Sequence, residues 1–275
     1  MSEATRWYAV DGTCCGPVPN KSKPGTFRNF TKTDAEKLDP PADPSVTGVI
    51  GIKDKPNLDR WKIRQHLLSV KESDKLPAFL VETAPEAEKA FYQDVEQITQ
   101  ARMDLAPDAG SAMHLSMLQR LHNQDYDPAH APFIAELVRK LTGIAPLDTW
   151  DCERSFHYAG YHGLGYGGTA DLPNHAFEHL ADLKTQEFDD PKKVSVYDDW
   201  ATQLAAYEMG LGLAPHGRRL NIIASRSTPG LVVVREWSEA EMEAAREEWK
   251  LLLRLWWITN RPERYFEATN EGPEE

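Results

Sequence analysis

Gly168-Thr169-Ala170-Asp171 is followed, eleven residues after the aspartate, by Asp182-Leu183-Lys184-Thr185. Each segment ends a short apolar run on charge. Residues 181–185 alternate with period two, which predicts a strand that projects Asp182 and Lys184 from one face. A hairpin through Leu172-Pro173-Asn174-His175 then brings Asp171 alongside them. Two carboxylates can hold a divalent cation, and a neighbouring ammonium can steer or deprotonate a water. Together they are the minimum set for metal-assisted cutting of a phosphodiester.

Working outward, strand-like runs lie between glycines at residues 153–158, 167–172 and 177–185. A helix over 200–210, strands over 220–225 and 231–236, and a closing helix over 238–258 follow, the last opened by a Ser238–Glu241 capping box. Upstream, a helix restarts at Lys55-Pro56, with Leu58, Trp61 and Leu68 on one side. Residues 82–103 form a long helical region through Glu88, Phe91, Val95 and Ile98. Another helix opens at Gly110 with an apolar stripe of Leu115, Leu118 and Leu121, and residues 133–141 form an amphipathic one. The first forty-odd residues are rich in proline, glycine and lysine, with a short strand or hairpin around residues 7–10 and then extended chain. Ser45 is the N-cap of a turn starting at Val46. This order predicts an α/β (α+β) core behind a helical N-terminal half.

At 275 residues, 41% apolar and 27% charged, the chain can bury a core as one large domain. No apolar run approaches the roughly 18–20 residues of a membrane span. The start lacks the pattern of a secretory or transit peptide, and three cysteines give neither a disulfide framework nor a four-cysteine iron–sulfur or zinc site. These features lead to the expectation of a reduced, intracellular, cytoplasmic protein without a membrane partner. A net charge of −12 argues against a protein that coats nucleic acid passively, but not against an enzyme with a local basic channel. Basic residues cluster at Lys21, Lys23, Arg28 and Lys32, at Arg60, Lys62 and Arg64, at Lys192 and Lys193, and at Arg218 and Arg219.

The glycines between Gly160 and Gly168 are not followed by the Lys-Ser/Thr of a phosphate loop and enter a strand, so they read as a mobile loop and turn that flanks the site. His157, His162, His175 and His179 lack ligand spacing for zinc. His114 differs: it lies in the first turns of the helix after Asp108-Ala109-Gly110, where a neutral imidazole can complete a cation's shell. Taken alone, it reads as a structural histidine. Gln203, with Tyr207 one turn later, sits on the helix after the Asp-x-Lys strand and can orient the lysine or contact a phosphate.

In this order, Gly110-x-x-x-His114, Gly168-x-x-Asp171, Asp182-x-Lys184-Thr185 and Gln203-x-x-x-Tyr207 resemble the RecB-like branch of the PD-(D/E)XK nuclease superfamily. Pro44-Ser45-Val46-Thr47 and Lys55-Pro56-x-Leu58-x-Arg60-Trp61-Lys62-x-Arg64 resemble the subgroup of mitochondrial genome maintenance exonuclease and related phage exonucleases. The resemblance implies a mixed central sheet flanked by helices, of the restriction-endonuclease-like type. It divides the chain into an extended arm (1–44), a helical DNA-guiding region (45–150), a nuclease core (151–260) and an acidic tail (261–275), integrated as one domain.

The resemblance also implies roles. Asp171, Asp182 and the Leu183 carbonyl hold Mg²⁺ or Mn²⁺, with His114 in support; Lys184 activates or positions the attacking water. Gln203 and Tyr207 stand behind the site, and Glu153 occupies a position where relatives often carry a glutamate. Ser45, Thr47, Arg60, Trp61, Lys62 and Arg64 contact DNA. The implied activity is a metal-dependent DNA exonuclease acting on single strands or DNA ends in recombination, replication or repair. Its implied setting is a bacterial or phage-infected cell, and its implied partner a single-strand annealing or binding protein. Two departures stand out: Gln119 replaces an acid that relatives often carry beyond the histidine, and no iron–sulfur cluster is expected. Two rival readings stay open, a noncatalytic DNA-binding or assembly module and a metal-dependent hydrolase of another phosphoester.

Overall fold

The computed structural model describes residues 6–53, 56–81 and 84–270, so the Lys55 and Glu82 helix starts and the 271–275 end of the acidic tail lie outside the described residues. The chain forms two compact units, one comprising the chain up to Ile52 and from Leu118 onward, the other Lys53–Met117. The larger unit opens with β1 (Trp7–Tyr8), β2 (Val18–Pro19), β3 (Phe27–Arg28), α1 (Lys32–Ala35), β4 (Asp43–Pro44) and α2 (Val46–Ile50). The smaller holds α3 (Pro56–Glu72), α4 (Leu76–Val81) and most of α5 (Pro85–Leu121). The larger resumes with α6 (Ala131–Thr142), β5 (Arg154–Tyr158), β6 (Tyr166–Ala170), β7 (Leu172–Asn174), β8 (His179–Gln186), α7 (Asp198–Leu211), β9 (Arg219–Ser225), β10 (Val232–Trp237), α8 (Glu239–Asn260) and α9 (Pro262–Asn270).

The central sheet of the larger unit has the order β10-β9-β8-β7, antiparallel at both ends and parallel between β8 and β9. The expected mixed α/β class is therefore observed. Alternation divides the strands between two faces. Leu180 and Ile223 share a buried cluster with α7 and α8 residues such as Leu204, Ala205, Trp249 and Leu253. Ala181, Leu183, Leu220 and Ile222 point the other way and are equally buried. Helix α6 buries Phe133, Ile134, Leu137 and Leu141 as its spacing predicts. The Ser45 cap and the Ser238–Glu241 capping box both form.

Residues 6–44 are built into this unit. Strand β1 pairs antiparallel with β4 and also bridges Tyr8 to Cys14 in a tight hairpin, as expected around residues 7–10, and the Tyr8 hydroxyl hydrogen-bonds Thr169 at 3.0 Å. The glycine-rich segment explains why this is sterically possible. A Cβ on Gly167 would lie 2.3 Å from the Tyr8 Cβ, and one on Gly168 would lie 2.9 Å from the Tyr207 ring. These two glycines are strand residues that let aromatic side chains approach the sheet.

Three expectations need correction. The hairpin before Asp182 turns at residues 175–178, because Leu172-Pro173-Asn174 is itself strand β7. Pro173 fits there because β7 is an edge strand, where a missing N–H costs no ladder bond. No helix opens at Gly110: α5 runs unbroken through it. Its expected stripe also fails at Leu115, which is 55% exposed, while Met113 and Met117 are buried. On α3, Leu58 and Trp61 are exposed rather than forming a buried side.

Candidate active site

Strand β8 positions Asp182 and Lys184 on the face covered by α7, and the Lys184 Nζ lies 2.8 Å from the Asp182 Oδ2. Asp171 occupies the single residue between β6 and β7, where the chain leaves the two-stranded β5–β6 sheet and joins the four-stranded one. The β7–β8 register pairs Leu172 with Ala181, so Asp171 comes level with Asp182. Because β7 is so short, the Leu183 N–H meets a side chain instead of a strand, donating to Asp171 Oδ2 at 2.7 Å. In a strand, one residue's N–H and C=O point to the same neighbour, so the Leu183 carbonyl faces the edge where Asp171 lies.

Lys184 also donates to Gln203 Oε1 at 2.9 Å, and Gln203 Nε2 donates to the Tyr207 hydroxyl at 2.8 Å. The i,i+4 spacing of Gln203 and Tyr207 on α7 makes that last contact local. Trp200, one turn before Gln203, holds its ring centroid 6.0 Å from Nζ. The lysine is thus fixed from both sides. One ammonium hydrogen goes to Gln203 and the Asp182 carboxylate pairs with the charge, which leaves the ammonium a hydrogen for a substrate.

Glu153 joins the group. Its backbone N–H donates to the Asp171 carbonyl at 2.9 Å, and a carboxylate oxygen lies within 4.8 Å of one on Asp171. The residue adopts φ 49°, a left-handed conformation uncommon outside glycine and often found at functional sites. Burial, and then the Asp182 charge, push the Asp171 carboxyl well above the usual carboxylate range. Glu153 is raised chiefly by burial, opposed by the Arg6 charge and reinforced by Asp182. Tyr207 is raised well above an ordinary phenol, first by burial and then by both aspartates. Neighbouring Cys152 is pushed up to about 12 by burial and three nearby carboxylates, so it stays a protonated thiol and is no nucleophile. Asp171 and Glu153 lie side by side, with the Asp182 charge acting on both, and supply hard oxygen donors. That chemistry fits a divalent cation such as Mg²⁺ or Mn²⁺.

The Asp171 shift has a measurable sign. A carboxyl whose folded pKa is raised favours folding at low pH, and that contribution is lost as pH rises through the folded value. In EDTA at neutral pH, Asp171→Asn is expected to melt above the wild type, and the difference should vanish below about pH 4. Each kcal/mol of relieved repulsion is worth about 2–4 °C at this chain length. Calorimetry showing a lower melting temperature for the variant at neutral pH would contradict this account of the site.

The other expected residues divide between the two units. His114 is half-buried on α5, within Lys53–Met117. Arg60, Trp61 and Arg64 are exposed on α3 and Lys62 is half-buried. Thr47 is exposed on α2, but Ser45 is buried and its hydroxyl accepts the Gly48 N–H at 3.0 Å, so it serves as a cap. Several basic residues are already committed: Arg28 pairs with Asp34, Lys193 with Asp189, Arg218 with Glu236 and Arg219 with Glu208. His157 bonds Asp43 at 2.8 Å, and His179 Nδ1 accepts the Arg218 N–H at 3.1 Å, which gives both structural roles. The Gly160-to-Gly165 turn lies at the far end of the β5–β6 hairpin, separated from Asp171 by the five residues of β6, about 20 Å of extended chain. It is not a flank of the site.

Sequence reading missed Asn221, fully buried on β9, which donates to Asp182 Oδ2 at 2.8 Å. The available signal was an amide within the otherwise apolar run Leu220-Asn221-Ile222-Ile223. Among the described residues, no helix is long and apolar enough to cross a membrane. No protein-family model and no curated protein matches the chain.

Proposed function

We propose that the protein is a divalent-cation-dependent nuclease that hydrolyses DNA phosphodiesters from single strands or ends, built on a restriction-endonuclease-like core. The observation that carries this reading is Lys184, held by Asp182 and Gln203 beside the carboxylate of Asp171. Asp171, Asp182 and the Leu183 carbonyl would hold Mg²⁺ or Mn²⁺, with Glu153 adjacent; His114 is added as a ligand by the sequence pattern alone. When bound, the cation supplies Lewis-acid activation of the scissile phosphate and a lowered pKa for the attacking water.

The chain's own residues supply the rest. The ammonium of Lys184 is held by the Gln203 oxygen and the Asp182 charge and offers a hydrogen to the phosphate, where charge builds up in the transition state. Gln203 keeps that ammonium in place, and Tyr207 anchors Gln203 from a buried position. On α3, the exposed Arg60, Trp61 and Arg64, with Lys62, combine cations for phosphates with a ring for a base, as single-strand binding requires. Any single-strand annealing or binding protein would act by delivering such a strand.

The test is a time course on end-labelled single-stranded, double-stranded and circular DNA in Mg²⁺, Mn²⁺ or EDTA. Metal-dependent nucleotide release from linear but not circular DNA is expected, and Asp182→Asn should abolish it. Tight DNA binding without turnover would replace this reading with a noncatalytic module. Neither binding nor release would point to another phosphoester.

A further inference from the structure

Asp182 is 1% exposed, and its Oδ2 accepts a hydrogen bond from Asn221 and forms an ion pair with Lys184. Its Oδ1 accepts none among the described residues. Asn221 is the register partner of Asp182 across the parallel β8–β9 pair. Its own Oδ1 accepts the indole N–H of Trp237, at the end of β10, at 2.7 Å. Trp237 is 8% exposed, with the Arg235 guanidinium 4.7 Å from its ring centroid.

The two neighbours of the Asn221 amide are chemically one-way. An indole can only donate and an ionised carboxylate can only accept. An amide between them therefore has a single satisfying orientation, oxygen towards Trp237 and nitrogen towards Asp182. Burying that amide in an apolar strand costs stability unless both ends are bonded. A leucine or isoleucine would match its neighbours without that requirement. The amide does what an apolar side chain cannot: it fixes one oxygen of Asp182 and prevents the lysine from alone dictating the carboxylate's rotation.

We infer that Trp237 and Asn221 form a positioning relay, in which the indole orients the amide and the amide orients Asp182 so that its second oxygen serves the cation. This rests on the reading of Asp182 as a cation ligand. Neither residue touches the reacting atoms. Both support a ligand from behind, a role whose loss typically costs 10–100-fold in metal affinity.

The experiment measures Mn²⁺ affinity by calorimetry and by loss of the free-ion paramagnetic signal, with melting temperatures as the folding check. Trp237→Phe keeps an aromatic side chain but removes the N–H together with part of the ring, so its melting temperature is read alongside its affinity; a several-fold loss of affinity is expected. Asn221→Leu should lose about 10–100-fold, and the double variant should be no worse than Asn221→Leu alone, because both act through one bond to Asp182. In the wild type, Mg²⁺ should shift the Trp237 indole N–H resonance, and in Asp182→Asn it should not. If Asp182→Asn loses Mn²⁺ binding while folded Trp237→Phe and Asn221→Leu keep wild-type affinity, the relay is overturned and the ligand assignment stands. Should Asn221→Leu not fold, Trp237→Phe with unchanged affinity and an unmoved indole resonance overturns it. Wild-type protein that binds no Mn²⁺ removes both the ligand assignment and the relay.

Discussion

Lys184→Ala is expected to slow Mg²⁺-dependent nucleotide release from single-stranded DNA by at least about 10²–10³-fold, the cost of removing a preorganised donor to transition-state charge. The loss should appear in kcat with KM little changed, since the interaction strengthens only as charge develops. Folding should survive, because Asp182 keeps its bond from Asn221 and lies in a face packed by α7 and α8. Cation affinity gives a second readout. Lys184 competes with a cation for Asp182, so the variant should bind Mn²⁺ as well as the wild type or more tightly. Lost cleavage with retained Mn²⁺ binding would assign the ammonium to the phosphate; unchanged cleavage would sink the mechanism.

The largest expected effect on stability comes from Arg219, which has no part in that chemistry. Its side chain is 1% exposed, and its Nε donates to Glu208 on α7 at 2.6 Å. Its other nitrogens donate to the carbonyls of Glu178 and Ala214, at 2.6 and 2.8 Å. Arg246 of α8 bonds the same glutamate at 2.6 Å. Burial works against the charge on Arg219 and the Glu208 carboxylate supports it. Arg219→Ala leaves Glu208 with half its compensation and two carbonyls without their donor. The expected cost is about 3–5 kcal/mol, a fall in melting temperature on the order of 10 °C. Arg219→Lys should not rescue, because a point charge cannot reproduce the planar fork. A melting temperature within a degree or two of wild type would show that the network contributes little.

What the sequence disclosed and concealed follows from physical range. Period-two alternation is a local property, so Asp182 and Lys184 on one face could be read directly. Gln203 and Tyr207, one helical turn apart, were readable for the same reason. The level of Asp171 against Asp182 depended on a hairpin whose turn was misplaced, because Pro173 reads as a turn residue until its edge position is known. Pro107 and Gly110 carry helix-ending propensities, yet α5 passes through both; propensity is a weak prior that context overrides. Asn221 was hidden because its meaning lies in partners 16 and 39 residues away, Trp237 and Asp182.

Strand β7 pairs with β8 only as far as Ala181, so β8 changes from an interior strand to a sheet edge at the point where Asp182 begins the charged segment. Exposed edges invite a foreign strand to add on, with self-association as the outcome, and inward-pointing charges are a standard deterrent. Asp171 caps the first free N–H of this edge, and Asp182 and Lys184 place charge along it. The groups suited to hydrolysis are therefore expected to protect this edge from strand addition as well. Neutral replacements of all three should be judged by their aggregation state before any loss of activity is assigned to chemistry.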